Sequence, residues 1–507
     1  MMSRTPTWII AGLLAVGPAL SVAQPLDLLQ AYELALENDP QLREQRASRN
    51  ATRENHPQAR GALLPQLDFT ASYDESVSDG ERFDFDEDGE PGIIPFDREQ
   101  ETTRFNLSLS QTLFDWERFR ELDRAHAQVA QADTEFEAEL QDLAIRTAEA
   151  YFDLLEALDR KASSIASEES IERQRDRAQR RMEAGLVSMT DVQEAEAAYD
   201  QAVADRIAAE RTVNLRREQL REIIGVHADE IVAPHEDIPL DRPEPTDPEA
   251  WVGMAKENNL RIAAARFGSQ VSEQEVSQAR AGHYPTLELT ANLTRLEQDG
   301  GSVFDQQDLD TRSVGVQLNV PIYSGGQIRS RTRQAHQNML AAEERLERQR
   351  REAERETIDA FLGVESERSR VQALTQAVRS NQVALEATQA GFEVGTRTTV
   401  DILEARDSLF RAQVDLARAR YDFLLDTLRL KAATGALGID DIRALNELMG
   451  AEPGEMISPE DADPEDLDIE QAQPPRGHAG LKVGKIQALP LEANNSEREG
   501  GEKSGSR

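Results

Sequence analysis

The chain of 507 residues contains no cysteine. That absence excludes disulfides, thiolate metal sites, a cysteine nucleophile and the N-terminal cysteine through which exported lipoproteins take their anchor. Aromatic residues are scarce at 5% and hydrophobic residues reach only 39%, whereas 30% are charged. Such a composition suits extended helices with wide wetted surfaces better than one compact core. Beyond the N-terminal segment no stretch approaches the about 18 consecutive apolar residues of a spanning helix, so any membrane crossing would have to be made by strands. Basic residues are outnumbered 57 to 95, and the formal charge of −38 argues against nucleic acid, whose phosphates need clustered Lys and Arg. Excess acid on this scale fits a solvating surface of the kind used in saline habitats. Catalytic signatures are missing too. The seven histidines form no His-Glu-x-x-His pattern, His227 and His235 fall in a proline-rich connector, and neither a phosphate loop nor a nucleophile elbow is present. The expectation is a protein that is not an enzyme and has no metal or cofactor.

What is present begins with an export signal over residues 1–23: Arg4, an apolar run from Trp8 to Leu20, and Ser21-Val22-Ala23 as a small-residue cleavage site. The remainder is a tandem duplication. Met182-Glu183-Ala184-Gly185-Leu186-Val187-Ser188-Met189-Thr190-Asp191-Val192 recurs as Phe392-Glu393-Val394-Gly395-Thr396-Arg397-Thr398-Thr399-Val400-Asp401-Ile402. Ala59-Arg60-Gly61 through Pro65-Gln66-Leu67 likewise matches Ala279-Arg280-Ala281 through Pro285-Thr286-Leu287. Two structural repeats, 24–240 and 241–448, followed by an acidic tail over 449–507 that is too polar to bury a core and so disordered, are expected.

Period-2 alternation follows the proline in each half. Leu67, Phe69, Ala71 and Tyr73 answer to Leu287, Leu289, Ala291 and Leu293, and a second alternating run begins near Phe105 in one half and Val314 in the other. The spacing predicts strands at about 64–74, 103–114, 285–295 and 312–323, each of roughly 10 residues, the length that crosses a bilayer when tilted. Four strands cannot close a barrel, and unpaired edges are not tolerated in lipid. Several copies must therefore share one barrel.

Between strands and repeat tips run very long helices. Apolar or small residues recur every three or four positions from Trp116 to about Met182. The return helices alternate a large layer (Ile402, Leu409, Leu416, Phe423, Leu430) with an alanine layer (Ala405, Ala412, Ala419, and Ala195, Ala202, Ala209 in the first half), which lets helices approach closely. The fold class expected is mainly α with a β part: long helical hairpins standing side by side as a wall, plus four strands per chain.

At the tips, Gly185 and Gly395 fit the left-handed position that ends a helix, and Ser188 and Thr398 can cap the next one with Asp191 and Asp401 in a capping box. A hairpin that simply turns accounts for glycine, hydroxyl and acid together. It does not account for Leu186 and Val187, apolar residues at a protruding end, which point to a docking surface.

These tips, the proline-led strand starts and Pro321-Ile322-Tyr323-Ser324-Gly325-Gly326 give the chain a resemblance to the TolC family of outer-membrane efflux channels over residues 26–448. The resemblance implies a homotrimer sharing a 12-stranded β-barrel in outer-membrane lipid and a helical barrel through the periplasm. Its partners would be a periplasmic adaptor (membrane fusion) protein and an inner-membrane pump or ABC exporter, in tripartite efflux or type I secretion. It further implies that Gly185, Leu186, Val187 and Ser188, with Gly395, Thr396, Arg397 and Thr398, meet the adaptor. Asp401 and Glu404 would constrict the periplasmic entrance, and Arg397 beside Thr190 and Asp191 would hold it closed. Phe392 departs from the tyrosine of some members and lacks the hydroxyl of that latch. The competing reading is an exported structural coiled-coil envelope protein without a pore. One further candidate, the acidic loop Asp84-Phe85-Asp86-Glu87-Asp88-Gly89, opens like a calcium loop, but Pro95 stands where the bidentate glutamate belongs. A looser site with Asp97 or Glu99, or simply a solvated loop, remains for it.

Overall fold

In the computed structural model, residues 25–85, 91–235, 238–300 and 307–451 are described, all within one compact unit, Met1–Ser458. The signal segment, the centre of the acidic loop at 86–90 and the tail beyond Ala451 lie outside the described residues.

The first half begins with α1 (Leu28–Asn38), α2 (Pro40–Arg53) and α3 (Asn55–Gly61). Asp27 and Gln30 close a capping box on α1, and Asp39 caps α2 ahead of Pro40, whose missing N–H suits the first helical position. Two strands follow, β1 (Gln66–Phe85) and β2 (Pro91–Phe114), then the hairpin α4 (Trp116–Glu183) and α5 (Met189–Ile224). A connector carrying β3 (Ala233–Pro234) leads to the second half: α6 (Pro248–Asn258), α7 (Leu260–Ala281), β4 (Thr286–Gly300), β5 (Gln307–Asn319), α8 (Gln327–Glu393) and α9 (Thr399–Ala433). Asn259 caps α7 just as Asp39 caps α2, so the duplication reaches down to its caps. The chain closes on α10 (Ile439–Asn446) and β6 (Met449–Ala451).

The strands form one antiparallel sheet in the order β1-β2-β4-β5. Register decides its character. Leu67, Leu109, Ala291 and Val314 fall in one row, flanked on the same face by Phe69, Leu107, Leu293 and Arg312 above and by Gln111, Leu289 and Val316 below. The opposite face carries rows such as Asp68, Ser108, Asn292 and Ser313, or Thr70, Asn106, Thr294 and Thr311. Thr294 donates across the ladder to Asn106 Oδ1 at 2.9 Å. The sheet therefore has one greasy and one polar face, and β1 and β5 are edges with no partner strand among the described residues.

The strands are longer than the expected roughly 10 residues: 20, 24, 15 and 13. Apolar alternation stops near Tyr73, yet the backbone ladder continues through Glu75–Glu101 to Phe85–Pro91, because backbone pairing does not need apolar side chains. Asp97 and Glu99 accordingly stand on β2 opposite Asp79 and Val77 and not in a loop.

Below the sheet, α4 spans 68 residues and α8 spans 67, each about 100 Å at 1.5 Å per residue. The large layer of the return helices (Ile402, Leu409, Leu416, Phe423 and Leu430) is buried, as are Ala195, Ala202, Ala209, Ala412 and Ala419 of the alanine layer, while Ala405 is half-buried. Among the described residues no helix is long and apolar enough to cross a membrane. The main core sits where α1, α2, α4, α5, α9 and α10 converge, around Leu28, Leu42, Tyr151, Leu155, Leu220, Phe423 and Ile442. There the connector is built in: β3 pairs with β6, Ile231 bridges to Leu26, and Tyr151 Oη shares its one proton between the carbonyls of Leu26 and Val232, at 2.9 and 2.7 Å. The tail expected from residue 449 thus begins as the strand β6, whose Met449 is buried in this core.

Candidate gate and docking tips

Each hairpin ends by the same local chemistry. Gly185 (φ 73°) and Gly395 (φ 76°) adopt the left-handed conformation, which allows Leu186 N–H to reach Arg181 C=O and Thr396 N–H to reach Gly391 C=O, both at 2.8 Å. These six-residue closures satisfy carbonyls that the helix end would otherwise leave open. The next helix is then capped reciprocally. Asp191 N–H donates to Ser188 Oγ at 3.2 Å while Ser188 N–H donates to Asp191 Oδ2 at 3.0 Å. Asp401 N–H donates to Thr398 Oγ1 at 3.3 Å, and Thr398 N–H to Asp401 Oδ2 at 2.7 Å.

Asp401 holds more than its cap. The backbone N–H and the hydroxyl of Thr398, then the Arg397 guanidinium, keep its carboxyl below the usual carboxylate range. Arg397 Nη1 lies 3.9 Å from Asp401 Oδ1, an exposed ion pair one turn apart. Within one chain, among the described residues, Arg397 turns to Asp401 and not to Thr190 or Asp191. Thr190 is exposed, and Asp191 belongs to its own cap. Glu404, one turn further along, lines a groove of about 790 Å³ between α4, α5 and α9, in company with Asp205, Arg406, Asp407 and Arg411.

The two hairpins meet at Phe392. Arg181 places its guanidinium 5.2 Å from the centre of that ring, and Val187, Asp191 and Phe392 share a small pocket with it. Cation–π attraction thus acts where a hydroxyl is missing. Val187, expected at the exposed tip, is half-buried because it packs toward this pocket. Leu186 is 68% exposed, and Met189 and Val394, which sequence reasoning passed over, are also strongly exposed. Further from the tip, α9 is tied to α4 by Arg418–Glu156, by Arg429–Glu149 and by Tyr421 Oη donating to the buried Asp159 at 2.6 Å. Nearer the tip the pattern inverts: Arg406 faces Arg173 and Arg177, and burial together with those like charges pulls its guanidinium below its ordinary value.

Comparison with known proteins fits this arrangement of two-faced sheet and long hairpins. Residues 31–226 and 251–436 match the family described as outer membrane efflux protein. The chain belongs to that family. It is 34% identical over 439 residues to outer membrane protein TolC of Escherichia coli K12, covering 85% of this chain and 86% of that protein. To the alkaline protease secretion protein AprF of Pseudomonas aeruginosa it is 31% identical over 460 residues, covering 89% of this chain and 93% of that one. Among solved structures, the outer membrane protein VceC of Vibrio cholerae superposes with a TM-score of 0.65 at 22% identity, over 80% of this chain and 96% of that one. As an outer membrane efflux protein, the chain is an outer-membrane exit duct for efflux or type I secretion that extends into the periplasm and works with adaptor and pump partners. A pore-free envelope spacer is not favoured.

Proposed function

We propose that three copies of the chain close one barrel of 12 strands, three times the four of each sheet, and act as a passive conduit that performs no chemistry. The observation that carries this is the sheet: two edges without a partner strand among the described residues, with a mostly apolar and a polar face near the helices, cannot coexist in lipid unless further copies close the ring. Apolar residues then meet lipid, and rows of Ser, Thr and Asn line a wet lumen. Trp116, Phe114, Phe119 and Tyr284 cluster at the junction of strands and helices, with ring centres 6.2–6.4 Å apart, where an interfacial aromatic girdle belongs.

At the far end, Asp401 and Glu404 from three copies make a ring of six carboxylates, a constriction that favours cations. Arg397 tempers its repulsion and keeps the ring closed. The exposed Leu186, Met189 and Val394, beside Gly185, Ser188, Gly395, Thr396 and Thr398, offer the surface on which a periplasmic adaptor docks. The test is reconstitution of the full-length protein into planar bilayers after its mass in detergent has been measured. A trimer with cation-selective, low-conductance channels is expected. A water-soluble monomer without channel activity would overturn the reading.

A further inference from the structure

Two histidines that are far apart in sequence meet just below the sheet. His56 on α3 and His126 on α4 bring their Nε2 atoms to 3.0 Å in an exposed position. Their ring centres are 4.2 Å apart and their planes cross at 57°. Rings meeting nose to nose through a shared proton would hold their centres farther apart than this. The rings are tilted side by side, with their two Nε2 atoms closer together than their centres. In a tetrahedral zinc site, two Zn–N bonds of 2.0–2.1 Å place the ligand nitrogens roughly 3.3 Å apart, so the Nε2 separation of 3.0 Å lies within a few tenths of an ångström of what a chelate needs.

The backbone beneath the pair is already fixed. Arg53 Nη2 meets Asp133 Oδ1 at 2.8 Å on one side, and Arg118 donates to the carbonyl of Ala62 on the other. Asn55 Nδ2 reaches Gln128 Oε1 at 3.4 Å between them. The two imidazoles are therefore presented by helices held at a set separation, which lowers the ordering cost of binding a bridging ion. Among the described residues no group of three His, Asp or Glu side chains converges on one point, so water would complete the coordination and the site would be open and exchangeable. Neutral imidazoles without carboxylates select borderline d-block divalent cations over calcium or magnesium, which prefer oxygen.

We propose that His56 and His126 form a two-imidazole site for a divalent transition cation, represented by Zn²⁺. A bound ion would staple α3, which leads into β1, to α4, which leaves β2, and so brace the periplasmic ends of the first hairpin of strands. The experiment uses the full-length, tag-free protein in detergent, stripped with chelator and titrated with Zn²⁺ alone by calorimetry or equilibrium dialysis. Uptake of one ion per chain at this site is expected, weakened at least tenfold in His56→Gln and in His126→Gln, and not competed by Ca²⁺. Zn²⁺ should raise the melting temperature of the wild type and leave both variants unmoved. No saturable uptake by the wild type, or uptake equal in wild type and both variants, would overturn the site and assign any binding to surface carboxylates. Should one substitution disturb assembly, the other gives the same reading, since loss of either imidazole leaves a single ligand.

Discussion

In the proposed gate, Asp401 would serve two purposes with one carboxylate, because the cap needs an acceptor while the constriction needs a charge. Asp401→Asn separates them: its amide oxygen can still accept from Thr398 N–H, but the charge is gone. Reversal-potential measurements should show weaker cation selectivity with the hairpin intact, and unchanged selectivity would remove Asp401 from the constriction. The sign of the pH dependence follows from the lowered pKa. A carboxylate held below its unfolded value of about 3.9 gives its contribution fully above that value and loses it only as pH falls through the lower folded one. Selectivity due to Asp401 should thus be the same at pH 7 and pH 5. Arg397→Ala removes the counter-charge 3.9 Å away, and single-channel conductance should rise. Conductance equal to wild type would show that Arg397 does not hold the ring closed. At this scale the caps were readable in the sequence, since glycine, hydroxyl and acid act over three residues. The Arg181–Phe392 contact was not, because it joins two hairpins that sequence spacing cannot relate. The same holds for His56 and His126, 70 residues apart.

A hairpin is only as sharp as its turn, and both turns rest on a positive φ. A β-carbon at Gly395 would meet nothing within 4 Å, so substitution there would be felt through backbone strain alone. Gly395→Ala should cost about 1 kcal/mol, read as a lower melting temperature, with α8 and α9 otherwise unchanged. A neutral result would mean that the turn relaxes to a conformation open to any residue. The helices themselves were legible because α4 and α9 keep their apolar period for many turns: Ile402, Leu409, Leu416, Phe423 and Leu430 are buried throughout. Strand starts were legible from alternation after Pro65 and Pro285. The outer reaches of β1 and β2 were hidden, because Asp and Glu break the alternation while the ladder runs on. The pairing of β3 with β6 was hidden for another reason: strands of two and three residues leave no periodic signal.

For the whole molecule, the duplication and the strand count carry the argument, and neither depends on any single side chain. Four strands with opposite faces set a condition that only assembly meets, and the condition can be tested by charging one face at a time. Val316 lies on the apolar face in register with Leu289, while its neighbour Gln317 points to the polar face opposite Glu288. Arginine at a lipid-facing barrel position costs roughly 0–1 kcal/mol near the interface and up to about 2–4 kcal/mol at the midplane, and assembly multiplies the cost by the number of copies. Val316→Arg should therefore deplete the assembled form in outer-membrane fractions, seen as loss of the oligomer band in unheated gels. Gln317→Arg, one residue along the same strand, should assemble normally and alter only conductance. If both variants assemble alike, the two faces of the sheet do not divide lipid from lumen, and the shared barrel fails with them.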